Sequence, residues 1–217
     1  YDCLTFFITM PLRRICLISV LTAFWIPHTM SHAEPSYYKE TETLSYSVIE
    51  TLSDDTEIRH YEASIGVESS GNKDTGAFRL LFNYISGENE TNTDVSMTSP
   101  VEVGSNATKI SMTSPVEISS SDKMMFFLPS KYNADNAPVP THNDVSLVTV
   151  PARTVAAIRY SGLNGDDKKE AYKNKLLKTL SDNNIKVGGA PSYMGYDSPF
   201  TLPWNKRHEI IIPVEIE

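Results

Sequence analysis

Apolar side chains recur along this chain at two spacings, and the spacings predict its elements. Phe78, Leu81, Phe82 and Ile85 fall at i, i+3, i+4 and i+7, one stripe of an α-helix. A turn at Gly71-Asn72-Lys73-Asp74 precedes it, Asp74 or Thr75 supplies a cap, and Gly87 ends it. A second amphipathic helix is predicted over 168–184, with Tyr172, Leu176, Leu177 and Leu180 on its apolar side. Strands are predicted over 56–69, 144–150, 153–161, 193–200 and 209–216. The nearly continuous apolar run at 123–128 reads as a central strand that Pro129 stops. Residues 34–55 carry few large apolar side chains and read as a polar, loosely packed lead-in.

One segment occurs twice. Ser-Met-Thr-Ser-Pro-Val-Glu lies within 95–103 and again, fifteen residues on, within 110–118. The first copy alternates, with Val95, Met97, Val101 and Val103 on one face, and Gly104-Ser105-Asn106 between the copies is a turn signal. The pair predicts a β-hairpin whose Pro100 and Pro115, lacking an N–H for the ladder, sit at bulges or edges. Helices and strands together predict an α+β fold, a curved or barrel-like antiparallel sheet with two α-helices.

The first 33 residues have a different character. Arg13-Arg14 precedes an apolar run from Ile15 to Ile26, and Ser31-His32-Ala33 offers small residues at a cleavage site. That order predicts a secretory signal peptide over 1–33, with residues 1–9 upstream of the true start. The run is shorter than the roughly 20 residues a spanning helix needs, so no stable membrane span is expected after cleavage. The protein is therefore expected to be exported, periplasmic or extracellular. Cys3 and Cys16 would leave with the leader, and the domain at 56–217 would hold no thiol for a disulfide, a metal or nucleophilic catalysis.

Charge and motifs narrow the function. The 217 residues carry a formal charge of −8, which argues against a nucleic-acid partner. No Gly-rich phosphate loop, G-x-S-x-G elbow, H-E-x-x-H or metal-spaced His/Cys set occurs, so a ligand-binding protein is expected rather than an enzyme. C-x-x-C-H is also absent, which excludes covalent c-type haem attachment. His60 lies on a predicted strand, while His142 and His208 read as solvated. Glu102, Glu117 and Glu209 are the carboxylates considered as general bases, and solvent-facing positions are expected for them. Most methionines and aromatics, Phe200 and Trp204 included, read as core.

Several motifs, in order, resemble the SOUL haem-binding proteins. They are Ile58-Arg59-His60-Tyr61-Glu62, the helix from Phe78 to Gly87, and the Met-Thr-Ser-Pro-Val copies at Met97 and Met112. Phe127-Leu128-Pro129-Ser130, the strand from Val155 to Gly162, and the closing blocks Gly195 to Pro203 and Arg207 to Val214 continue the match. The resemblance spans Thr56 to Ile216. It implies a distorted antiparallel barrel with pseudo-twofold βαβ-type halves and a shallow apolar groove, similar to GyrI-like effector-binding domains. It implies non-covalent binding of haem or another tetrapyrrole. His60 would then be an axial ligand to the haem iron, Phe78, Leu81, Phe82 and Ile85 the apolar contacts, and Arg79 a propionate partner. His208 stands where the family usually has Asn. A GyrI-like hydrolase using a pocket glutamate, and an envelope interaction module without haem, are the alternatives.

Overall fold

The computed structural model describes residues 36–53, 55–70, 76–91, 107–119 and 123–216. The predicted leader, both cysteines and the first copy of the duplicated segment lie outside these residues, so the two-copy hairpin is not described.

The chain enters through strands, which corrects the expectation of a loose lead-in. β1 (Ser36–Tyr38) and β2 (Thr41–Thr43) form a small ribbon. β3 (Tyr46–Ser53) pairs antiparallel with β4 (Thr56–Tyr61) at the edge of the main sheet. An edge strand with one side unpaired tolerates polar side chains, and most of β3 is exposed. The composition was polar because the strand is an edge.

The predicted strand at 56–69 is two strands. Glu62 and Ala63 separate β4 from β5 (Ser64–Ser69). The remaining elements are α1 (Ala77–Ser86), β6 (Asn89–Glu90), β7 (Val116–Ile118), β8 (Met124–Phe127), β9 (Val139–Pro140) and β10 (Val145–Val150). They are followed by β11 (Arg153–Tyr160), α2 (Asp166–Asp182), β12 (Lys186–Val187), β13 (Ser192–Gly195) and β14 (His208–Glu215). The main sheet runs β10-β5-β8-β7-β13-β14-β11-β4-β3, with β12 added to β14, and every pairing in it is antiparallel.

That order forces curvature. β4 and β5 stand six places apart in the sheet, which in a flat sheet would part them by about 29 Å at a strand spacing of about 4.8 Å. The link from Tyr61 to Ser64 reaches only about 11 Å when fully extended. The sheet must therefore curl back on itself. Among the described residues it does not close: β10 and β3 remain two separate edges, so the expected barrel is corrected to an open, curled sheet.

Each helix covers its own part of the sheet. α1 packs on β5, β8 and β10, where Leu81, Tyr84 and Ile85 join Val67, Phe126 and Val145. α2 packs on β11 and β14, with Leu176 and Leu180 against Ile58, Ala156, Ile158 and Ile212. The opposite face of the same strands buries Tyr61, Val155, Ala157, Met194, Tyr196 and Ile211. β11 and β14 are thus covered on both sides, which explains why Ile210-Ile211-Ile212 reads as a continuous apolar run.

Two further expectations change. In the second copy of the repeat only Val116–Ile118 is strand, and Thr113 is drawn inward to donate its hydroxyl to the Phe127 carbonyl. β13 stops at Gly195, because Asp197 accepts from the Arg207 N–H and closes a loop. Phe200 and Trp204 lie on that loop and are largely exposed rather than core.

Candidate functional site

α1 splits the predicted apolar stripe into two groups. Leu81 and Ile85 face the sheet and are buried. Phe78 and Phe82 sit toward solvent, 43% and 47% exposed. Their rings stack with centroids 6.1 Å apart and planes 14° apart, and Phe78 also meets Phe126 edge-on at 5.3 Å. Phe126 anchors this pair from below, since it is itself buried. Arg79, one residue on, is exposed and has no ion-pair partner among the described residues. The helix ends at Gly87, whose φ of 128° is a conformation that favours glycine and turns the chain so that the next N–H, of Glu88, reaches the Asn83 carbonyl at 3.0 Å.

The arrangement suits one face of a flat apolar ligand. Stacked aromatics supply area at low entropic cost, and an exposed guanidinium suits a carboxylate. Leu81 and Ile85 support that face from inside rather than touching its outer surface.

His60 lies elsewhere. It is half-buried on β4, with Nδ1 3.1 Å from the Thr154 hydroxyl of β11, its cross-strand neighbour. Thr154 fixes the ring, and Nε2 has no partner among the described residues. An imidazole oriented at one nitrogen and open at the other can ligate a metal. Phe78, Arg79 and Phe82 stand on α1, and the strands α1 packs on do not include β4. The structure thus groups the α1 residues together and sets His60 apart.

A buried charge network, which no local pattern in the chain announces, lies on the inner face. Glu209, fully buried on β14, accepts from Arg59 at 2.9 Å, from Arg207 at 2.7 and 2.9 Å, and from the Tyr196 hydroxyl at 2.8 Å. Tyr61 accepts from Arg59 at 3.3 Å, and both guanidiniums lie over tyrosine rings, Tyr46 and Tyr196. Burial alone would raise the Glu209 carboxyl, but the two guanidiniums outweigh it and hold it below its ordinary value. Glu117 is buried too, and its carboxylate is gripped in a fork by Arg153 at 2.6 and 3.2 Å. Both positions correct the solvent-facing expectation. Each carboxylate is matched to arginine, and Glu209, held below its ordinary value, is unlike a general base poised by a raised pKa.

His208 is also buried, not solvated. Its Nε2 lies 3.0 Å from the Gly162 carbonyl, which can only accept, so Nε2 carries the proton. Nδ1 then accepts from the Tyr193 hydroxyl at 2.7 Å. Burial lowers the His208 pKa below its ordinary 6.5. The unfolded chain thus binds more protons than the folded one just below pH 6.5, and stability falls as pH drops through that range. The expected result is a loss of unfolding free energy between pH 7.5 and 5.5 that is smaller in His208→Asn. Equal losses in urea titrations of both proteins would rule it out.

Among the described residues, no group of three or more His, Cys, Asp or Glu has metal-holding geometry, and no helix is long and apolar enough to cross a membrane.

Comparison with known proteins bears on the whole domain. A family model described as SOUL heme-binding protein matches residues 41–213. Heme-binding protein 1 of Xenopus laevis is 28% identical over 161 residues, covering 71% of this chain and 80% of that protein. Among solved structures, the EcmrR–DNA complex is similar with a TM-score of 0.50 at 12% identity, covering 75% of this chain and 57% of that one. A hydrolase from Listeria innocua has a TM-score of 0.47 at 10% identity, covering 74% and 92%. The likeness to the EcmrR–DNA complex concerns the fold alone. The family match spans most of the chain, including β4, both helices and β14, and on that ground the chain belongs to the SOUL heme-binding protein family.

Proposed function

We propose that this protein binds haem or a related tetrapyrrole without a covalent bond, on the outer face of α1. The observation that carries the reading is the stacked Phe78–Phe82 pair held half-exposed beside an exposed Arg79. The macrocycle would lie against the two rings, and Arg79 would meet a propionate. Family membership supports the ligand class. The leader pattern at 1–33 supports an exported carrier, scavenger or buffer.

His60 offers iron a second position: its open Nε2 on β4 would ligate haem only with the macrocycle over β4 rather than on α1. Its separation from α1 makes its role testable apart from the aromatic face. Absorbance titrations with hemin and with iron-free protoporphyrin are expected to saturate for both ligands. With the macrocycle on α1, replacing His60 by Ala is expected to leave both titrations unchanged, whereas an altered hemin spectrum would place the iron over β4. Flat titrations at micromolar ligand would refute the binding reading.

A further inference from the structure

α2 carries lysines where its buried stripe calls for apolar residues. Leu180 and Leu176 are its two buried positions. Continuing that stripe toward the N-terminus in steps of three and four gives Lys173 and then Lys169. Neither side chain escapes to water as its neighbours do. Their side chains are 33% and 31% exposed for Lys169 and Lys173, against 75% for Lys178 and 52% for Lys175. They border a cleft of about 310 Å³ between the first turns of α2 and the ends of β7 and β13. Ile118, Tyr193 and Ile210 supply its apolar part, and Ser119, Pro191, Ser192 and the carboxylates of Asp166 and Glu170 complete the lining.

The ammonium groups are only loosely engaged. Lys169 meets Asp166 at 3.2 Å and Lys173 meets Glu170 at 2.6 Å, both within one helical turn. Those carboxylates are 95% and 57% exposed, so the pairs are screened and contribute little. A ligand anion entering the cleft would replace them at small cost. The lysine stems and the Tyr193 ring, which lies 5.3 Å from Lys169 Nζ, leave an apolar surface for the rest of the ligand. The volume stands near the lower end of the roughly 300–1,000 Å³ range of small-molecule sites.

We propose that this cleft binds small amphiphilic anions, with the head group between Lys169 and Lys173 and the apolar body on Ile118, Tyr193 and Ile210. The site is separate from the α1 face and does not depend on tetrapyrrole binding. Isothermal titration of the full chain with decanoate and with decyl phosphate tests it, and the tighter probe identifies the head group. Saturable binding of at least one probe is expected, weakening as salt is raised. The Lys169→Leu/Lys173→Leu variant, which completes the apolar stripe and so favours folding, is expected to bind at least tenfold more weakly. Phe78→Ser/Phe82→Ser is expected to bind as the parent does. Three results would overturn the proposal: no saturation by either probe at millimolar concentration, undiminished binding in the lysine variant, or loss of binding in the phenylalanine variant. The first would mean that the lysines merely lay their stems over apolar surface.

Discussion

Glu209→Ala is expected to lower the unfolding free energy by about 3–5 kcal/mol, the range for removing one partner from a buried charge set. The substitution leaves Arg59 and Arg207 facing each other without the carboxylate that both donate to. It also strips the buried Tyr196 hydroxyl of its acceptor. Replacing the whole set should behave differently. Arg59→Met/Glu209→Leu/Arg207→Met removes the three buried charges together, leaves only the part-exposed Glu57 that Arg59 also meets, and is expected to recover most of the loss, since apolar substitutes for a buried ionic set are often neutral or better. Urea unfolding of the three proteins decides it. A loss under 1 kcal/mol in Glu209→Ala would mean that water already reaches the network. The pH dependence has a fixed sign. Because the folded carboxyl lies below its ordinary 4.5, its contribution is complete above that value and is lost as pH falls through the folded pKa.

Phe78→Ser/Phe82→Ser is expected to weaken hemin binding roughly thirtyfold while leaving the fold intact. Fully burying a phenylalanine is worth about 1.5–3 kcal/mol. Each of these rings has a little under half its surface left to bury, so each contributes about 1 kcal/mol, and about 2 kcal/mol together is roughly thirtyfold in Kd. Slightly more than half of each ring is already buried, so a stability cost of similar size, about 2 kcal/mol, is expected and is measured alongside by urea unfolding. Leu81, one position before Phe82, has no surface left to bury because it is already core. Unchanged hemin affinity in the double variant would move the ligand off α1.

The sequence announced the elements more clearly than the surfaces. Both helices and the strands at β8, β10, β11 and β14 follow from periodicity, because burial on a helix or strand face repeats with the backbone. The stripe on α1 was legible, but periodicity does not say which part of a stripe meets the sheet and which overhangs it. Phe78 and Phe82 overhang, and that is what makes them candidates. β3 was missed because an edge strand need not be apolar. Glu209 was missed for a different cause. It begins an isoleucine run, and its partners Arg59 and Arg207 come from β4 and from the end of the 197–207 loop. Ala157, small and fully buried on β11, lies on the face that Arg59 crosses to reach it. Pairing across strands that distant in sequence leaves no local pattern. A hint did exist: Arg59 lies in a strand where the residues on both sides of the sheet are buried, and a charge in such a strand calls for a partner.

The central claim is that a tetrapyrrole lies on the outer face of α1. Its most direct test is an amide-resolved NMR titration with iron-free protoporphyrin, whose ring current marks the residues beneath the macrocycle. The largest shifts are expected at Phe78, Arg79 and Phe82, with Leu176 and Leu180 on α2 unmoved. Shifts concentrated on α2 or around β4, with α1 unperturbed, would contradict it.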